Sequence, residues 1–80
     1  MAKKWRVVED RQGGTWCVGI SQTALEWLDN VCEWLRFDGV FDEEYTEEKF
    51  RTRWLEIINK DPQKFIDYVD ENWDITMQEE

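Results

Sequence analysis

Lys4-Trp5-Arg6-Val7-Val8-Glu9-Asp10-Arg11-Gln12-Gly13-Gly14-Thr15-Trp16-Cys17-Val18-Gly19-Ile20 is the stretch on which the fold class turns. β-branched and aromatic residues crowd residues 4–9 and 15–20, and Gly13-Gly14 lies between the two runs, the pattern of two strands joined by a turn. Side chains alternate across a strand, so Trp5 and Val7 share one face of the first run, with Arg6 and Val8 opposite. On the second run Trp16, Val18 and Ile20 share a face, leaving Cys17 and Gly19 on the other. Trp5 and Trp16 are therefore expected together on a sheet face in the core. A lone hairpin is marginal in water, so helices must cover it.

The remaining sequence supplies three helices. Ser21 is expected to cap the first, which carries Ala24-Leu25, Leu28, Val31-Cys32 and Leu35 at core-facing spacing and ends near Arg36 or Phe37. Trp27 and Trp34 flank that stripe on one side, and Glu26, Asp29 and Glu33 form an acidic seam on the other. Thr46 is expected to cap the second helix, with Glu47 and Glu48 in its first turn, where the helix dipole favours negative charge. That helix runs to about Lys60, turning Phe50, Trp54, Ile57 and Ile58 inward and Lys49, Arg51 and Arg53 outward. Asp61-Pro62 opens the third, a cap followed by proline at the first helical position. Its apolar stripe is Phe65, Ile66, Val69 and Trp73, and its acidic one Asp67, Asp70, Glu71 and Asp74. Ile75-Thr76-Met77 is short enough either to add a third strand or to fray, and Gln78-Glu79-Glu80 is expected to be disordered. The expected fold is α+β: an N-terminal hairpin, with or without a short C-terminal strand, packed against three α-helices.

Eighty residues make one small domain, residues 1–80, and a chain of this size buries only about 60% of the surface it exposes unfolded. Six Trp, four Phe and two Tyr supply the bulky core formers it needs. Nineteen Asp and Glu outnumber ten Lys and Arg, and the excess is segregated. Lys3, Lys4, Arg6 and Arg11 against Glu9 and Asp10 give residues 1–20 a charge of +2, so residues 21–80 carry −11 of a total of −9. That charge repels nucleic-acid backbones and anionic membrane surfaces, which argues against direct binding to either. There is no membrane-length apolar run, and no hydrophobic signal core follows Met1-Ala2-Lys3-Lys4, so a cytoplasmic location is expected.

Chemistry has few parts to work with. The chain contains no histidine, Ser21 is assigned to a cap, and no carboxylate pair is marked as sharing a pocket, so no catalytic residue is assigned and the protein is expected not to be an enzyme. Cys17 and Cys32 lack metal-site spacing and read as reduced thiols partly buried in the core, with a disulfide between them as the alternative that a cytoplasmic location argues against. Residues 38–48 hold six carboxylates, including Asp42, Glu43 and Glu44. Val40 and Phe41 stand where a calcium loop would need ligands, so residues 38–44 read as a solvated acidic loop, with no metal or cofactor implied.

The surface is then the candidate working part. The expected function is non-enzymatic protein binding through Glu26, Asp29, Glu33, Asp42, Glu43, Glu44, Asp67, Asp70, Glu71 and Asp74, against a partner with a basic surface. Where that surface binds nucleic acid, projecting carboxylates would occlude it. Small phage-encoded inhibitors of nucleases, polymerases and CRISPR effectors, the anti-CRISPR proteins among them, offer an analogy of size and charge only. The competing expectation is an assembly subunit or homodimer in which the acid serves mainly solubility and Trp27 and Trp34, with Phe37 beside them, form a hydrophobic interface. The sequence leaves those two tryptophans open between core and interface.

Overall fold

The computed structural model describes residues 3–80, in six successive elements: β1 (Trp5–Asp10), β2 (Ser21–Gln22), α1 (Ala24–Phe37), α2 (Glu47–Lys60), α3 (Pro62–Trp73) and β3 (Ile75–Glu79). The three strands form one antiparallel sheet in the order β2-β1-β3; α1 and α3 pack against it and α2 packs on those two helices, so the fold is α+β, as expected.

The hairpin is present, but its second strand is displaced and short. Residues 15–20 are turns: the Val18 N–H donates to Thr15 O at 3.3 Å and the Ile20 N–H to Cys17 O at 3.1 Å. Gly19, at φ +93°, then brings the chain back beside β1, where its N–H donates to Val7 O at 2.8 Å. Only Ser21 and Gln22 pair as a strand, opposite Arg6 and Trp5. Curling inverts the expected burial, so that Cys17 is fully buried and Trp16 is 67% exposed. Strand propensity at 15–20 gives way to these turns, and β1 finds its longer partner on its other edge, from the far end of the chain. β3 pairs along β1 from Trp5 to Asp10, with an irregularity between Val7 and Glu9 that leaves Val8 unpaired and exposed.

That pairing also orders the C-terminal residues expected to be disordered. Gln78 and Glu79 lie opposite Arg6 and Trp5, and the Glu80 N–H donates to Lys4 O at 2.8 Å. The positive N-terminal segment meets this acidic end in two ion pairs, Lys3 with Glu79 at 3.7 Å and Arg6 with Glu80 at 3.2 Å. Backbone pairing and opposite charge act together there.

Helix α1 is capped by Thr23 rather than Ser21, which lies in β2. Thr23-Ala24-Leu25-Glu26 forms a reciprocal capping box: the Glu26 N–H donates to Thr23 Oγ1 at 3.2 Å and the Thr23 N–H to Glu26 Oε1 at 3.1 Å. Ser21 has no acid three residues on to complete such a pair. The buried face of α1 is Ala24, Trp27, Leu28, Val31 and Cys32, rotated toward Trp27 and leaving Leu25 half exposed. The indole directs this rotation, because the Trp27 Nε1–H donates to Trp5 O at 3.0 Å and ties α1 to the sheet. Trp27 is therefore core, not interface. Helix α2 begins at the Thr46 cap as expected, and Asp61 alone separates it from α3, which starts at Pro62. Asp61 occupies the cap position of α3 without a side-chain capping bond. Asp74, in the left-handed conformation at φ 53°, ends α3 and turns the chain into β3. Trp5, Val7, Cys17, Leu28, Phe65 and Val69 meet in a core that holds no polar or charged residue among those described.

Candidate functional site

The ten carboxylates expected to form a binding surface lie on α1, on α3 and in the loop before α2, and several of them are engaged within the fold. On α1, Glu26 closes the capping box, Asp29 is bound by the Arg51 guanidinium of α2, and exposed Glu33 has no ion-pair partner among the described residues. On α3, Asp70 and Asp74 are held by Arg11 from the turn after β1, at 2.6 Å and 3.6 Å, and the Gln63 side chain donates to Asp67 at 2.9 Å. Glu71 is exposed. In the loop, Asp42 accepts from the N–H groups of Glu44 at 2.8 Å and Tyr45 at 2.6 Å, an Asx turn that shapes the segment, while Glu43 and Glu44 project to solvent. Much of the acid near a base is thus engaged within the fold.

A different constellation gathers where the end of β1, the turn at 11–20, the C-terminal end of α1 and the end of α3 converge. Asp10, Gln12, Trp16, Glu33, Trp34, Phe37, Asp38, Trp73 and Ile75 line an open groove of about 370 Å³. Trp34 is its floor, set edge to face against Trp16 at 5.8 Å and tilted against Trp73 at 5.5 Å between ring centroids. Trp34 also contacts buried Trp27 at 6.5 Å, so the groove is the outer end of an aromatic array rooted in the core. Phe37 stands at its margin, 93% exposed.

The electrostatics of the groove are one-signed. Asp10, Glu33 and Asp38 line it, no Lys or Arg does, and none of the three has an ion-pair partner among the described residues. The nearest bases in sequence are committed elsewhere, Arg11 to Asp70 and Asp74, Arg36 to Glu47 at 2.6 Å. Beneath the groove burial pushes the Cys17 thiol up, with the charge of Asp10 adding to it, and burial likewise raises Cys32 and Tyr68. Both thiols are free and buried. No cluster of three or more His, Cys, Asp or Glu side chains among the described residues is placed to hold a metal ion.

Comparison with protein-family models, curated proteins and solved structures gives no match for this chain. The site's chemistry therefore rests on its own residues. Of the groove residues, Glu33, Trp34 and Phe37, with Asp38 in the acidic 38–48 loop, are interaction candidates in the sequence; Asp10, Trp16 and Trp73 are not. Phe37 carries a clear signal. It lies half a turn around α1 from Leu28, so an apolar side chain there cannot belong to the core stripe. Trp16 and Trp73 carried none, since their place in the groove follows from how distant segments meet.

Proposed function

We propose that this chain is a non-enzymatic protein-binding module that docks its acidic face on a basic surface of a partner, and that it occludes nucleic acid where the partner's surface binds one. The observation that carries this reading is the distribution of unpaired charge. Six of the nineteen carboxylates, Asp29, Glu47, Asp70, Asp74, Glu79 and Glu80, are in ion pairs; the other thirteen have no cation within ion-pair distance among the described residues. Three of those thirteen surround the aromatic groove, which joins charge to the aromatic composition of interface hot spots. No described helix is long and apolar enough to cross a membrane.

The test is capture of a partner from the cells in which the chain is made, using wild type beside a charge-reversed variant, Asp10→Lys/Glu33→Lys/Asp38→Lys. The expected partner binds nucleic acid, elutes with added salt because exposed charges are screened over about 8 Å at physiological ionic strength, and escapes the variant. In a purified competition assay the wild-type chain should displace nucleic acid from it. Capture indifferent to both salt and charge reversal overturns the reading.

The exposure of Trp16 and Phe37 favours a second reading, an assembly subunit or homodimer that buries the groove against another copy. Sedimentation across a range of protein concentration separates the two: a dimer that dissociates on Trp16→Ser/Phe37→Ser supports assembly, and a monomer throughout removes the homodimer.

A further inference from the structure

The groove discriminates among ligands more sharply than net charge does. Its indole planes meet at steep angles, 81° between Trp16 and Trp34 and 54° between Trp34 and Trp73, so they form walls instead of one flat stack. An aromatic face carries negative potential, and the carboxylates of Asp10, Glu33 and Asp38 add formal charge of the same sign beside it. Both components attract a cation and neither offers anything to an anion. At about 370 Å³ the space lies at the low end of sites that take small molecules, so it accommodates a side chain and not a helix. No residue of the chain fills this role for itself, since no Lys or Arg lines the groove.

We propose that the groove is the receptor for one arginine side chain of the partner. The inference rests on the protein-binding reading and adds which chemical group the site recognises. A guanidinium is planar and weakly hydrated, so it slides against indole faces at low desolvation cost, and its fork of N–H donors reaches carboxylates at the rim. A lysine ammonium is compact and strongly hydrated, offers no plane to stack and no fork, and is expected to bind less well. The flanking Arg11–Asp70 and Arg36–Glu47 ion pairs keep the chain's own bases turned away from the site.

The experiment is a titration of the full isotope-labelled chain with three blocked tripeptides, Gly-Arg-Gly, Gly-Lys-Gly and Gly-citrulline-Gly, following the six tryptophan Nε1–H signals. Citrulline matches arginine in shape and lacks its charge. Trp5 and Trp27 serve as internal controls, because their N–H groups are engaged with Gln63 Oε1 and Trp5 O. The expected result is saturable movement of Trp16, Trp34 and Trp73 with the arginine peptide, weaker affinity for the lysine peptide by about threefold or more, and no saturation with citrulline. Asp38→Asn and Trp16→Ala should each weaken the arginine response while the Trp5 and Trp27 signals stay in place. Equal response to citrulline, or arginine shifts confined to the amides of Asp42, Glu43 and Glu44, overturns the inference. If that happens while partner capture remains salt-sensitive, the protein-binding reading survives and the arginine site fails. If arginine saturates the groove while partner capture ignores salt and charge reversal, the site stands and the wider reading fails.

Discussion

Trp27 and Trp16 both belong to the aromatic array around Trp34, yet they face opposite demands. Trp27 is fully buried, and its indole N–H is satisfied by a backbone carbonyl of the central strand. Trp16 is 67% exposed and touches Trp34 by an edge, with a carboxylate-lined groove on its other side. One region is closed, apolar and fully bonded; the other is open, aromatic and negatively charged. On the proposed reading, stability and recognition belong to the two ends of one connected array, so a substitution at either end should move one property and spare the other.

The largest effect is expected at the closed end. Trp27→Ala removes a fully buried indole and its hydrogen bond to Trp5 O, and by the usual cost of truncating a large core aromatic it should destabilise the chain by about 3–5 kcal/mol. Urea unfolding measures this; a loss under about 1 kcal/mol would mean that the site collapses freely and that the closed region is not closed. A smaller effect is expected where α1, the helix that carries Trp27, begins. Thr23→Ala breaks one arm of the capping box and should cost about 1 kcal/mol, whereas Ser21→Ala leaves the cap untouched. Equal losses from the two would return the cap to Ser21.

The boundary between the regions runs between residues 16 and 17, and alkaline pH probes it. Cys17, Cys32 and Tyr68 are acids whose neutral forms are favoured by burial in the fold. The unfolded chain therefore releases these protons first as pH rises, so their contribution to stability is complete below the ordinary thiol value of about 8.5 and declines above it. The unfolding midpoint should fall over that range and should fall less in Cys17→Ala/Cys32→Ala. A thiol reagent at neutral pH should label Cys17 only as fast as the chain opens, although its neighbour Trp16 is exposed; immediate labelling would contradict the burial. The smallest effect is expected at the open end, where Trp16→Ala should change stability by less than about 0.5 kcal/mol.

The two tryptophans also mark what was legible in the sequence. Helices α1, α2 and α3 could be read because each combines a helical apolar stripe with a start signal, Thr46 for α2 and Asp61-Pro62 for α3. Class and element order followed. Trp16 was misplaced because alternation assigns faces only within a strand, and residues 15–20 form turns about Gly19. Trp27 is ambiguous in the sequence, which does not say that its indole reaches across to Trp5 O. Of the site, charge sign and aromatic richness were visible, and Glu33, Trp34 and Phe37 with them. The groove itself was not, since Asp10, Asp38 and Trp73 are brought together only when β3 pairs with β1 and α1 packs beside α3. The intramolecular ion pairs of Arg11 and Arg51 were equally hidden, and they engage Asp29, Asp70 and Asp74, acids that the sequence offered for binding.

The central claim is that the open, acidic end of the array binds while the closed end holds the fold. It is tested most directly by neutralising the groove without altering its shape, with Asp10→Asn/Glu33→Gln/Asp38→Asn in one chain. Unfolding and affinity for the captured basic partner are then measured on the same preparation. The account predicts an unfolding midpoint close to that of the wild type and an affinity at least about tenfold weaker, the loss expected when several interfacial charges lose their opposites. Full affinity in the neutralised chain, with the fold intact, would contradict it.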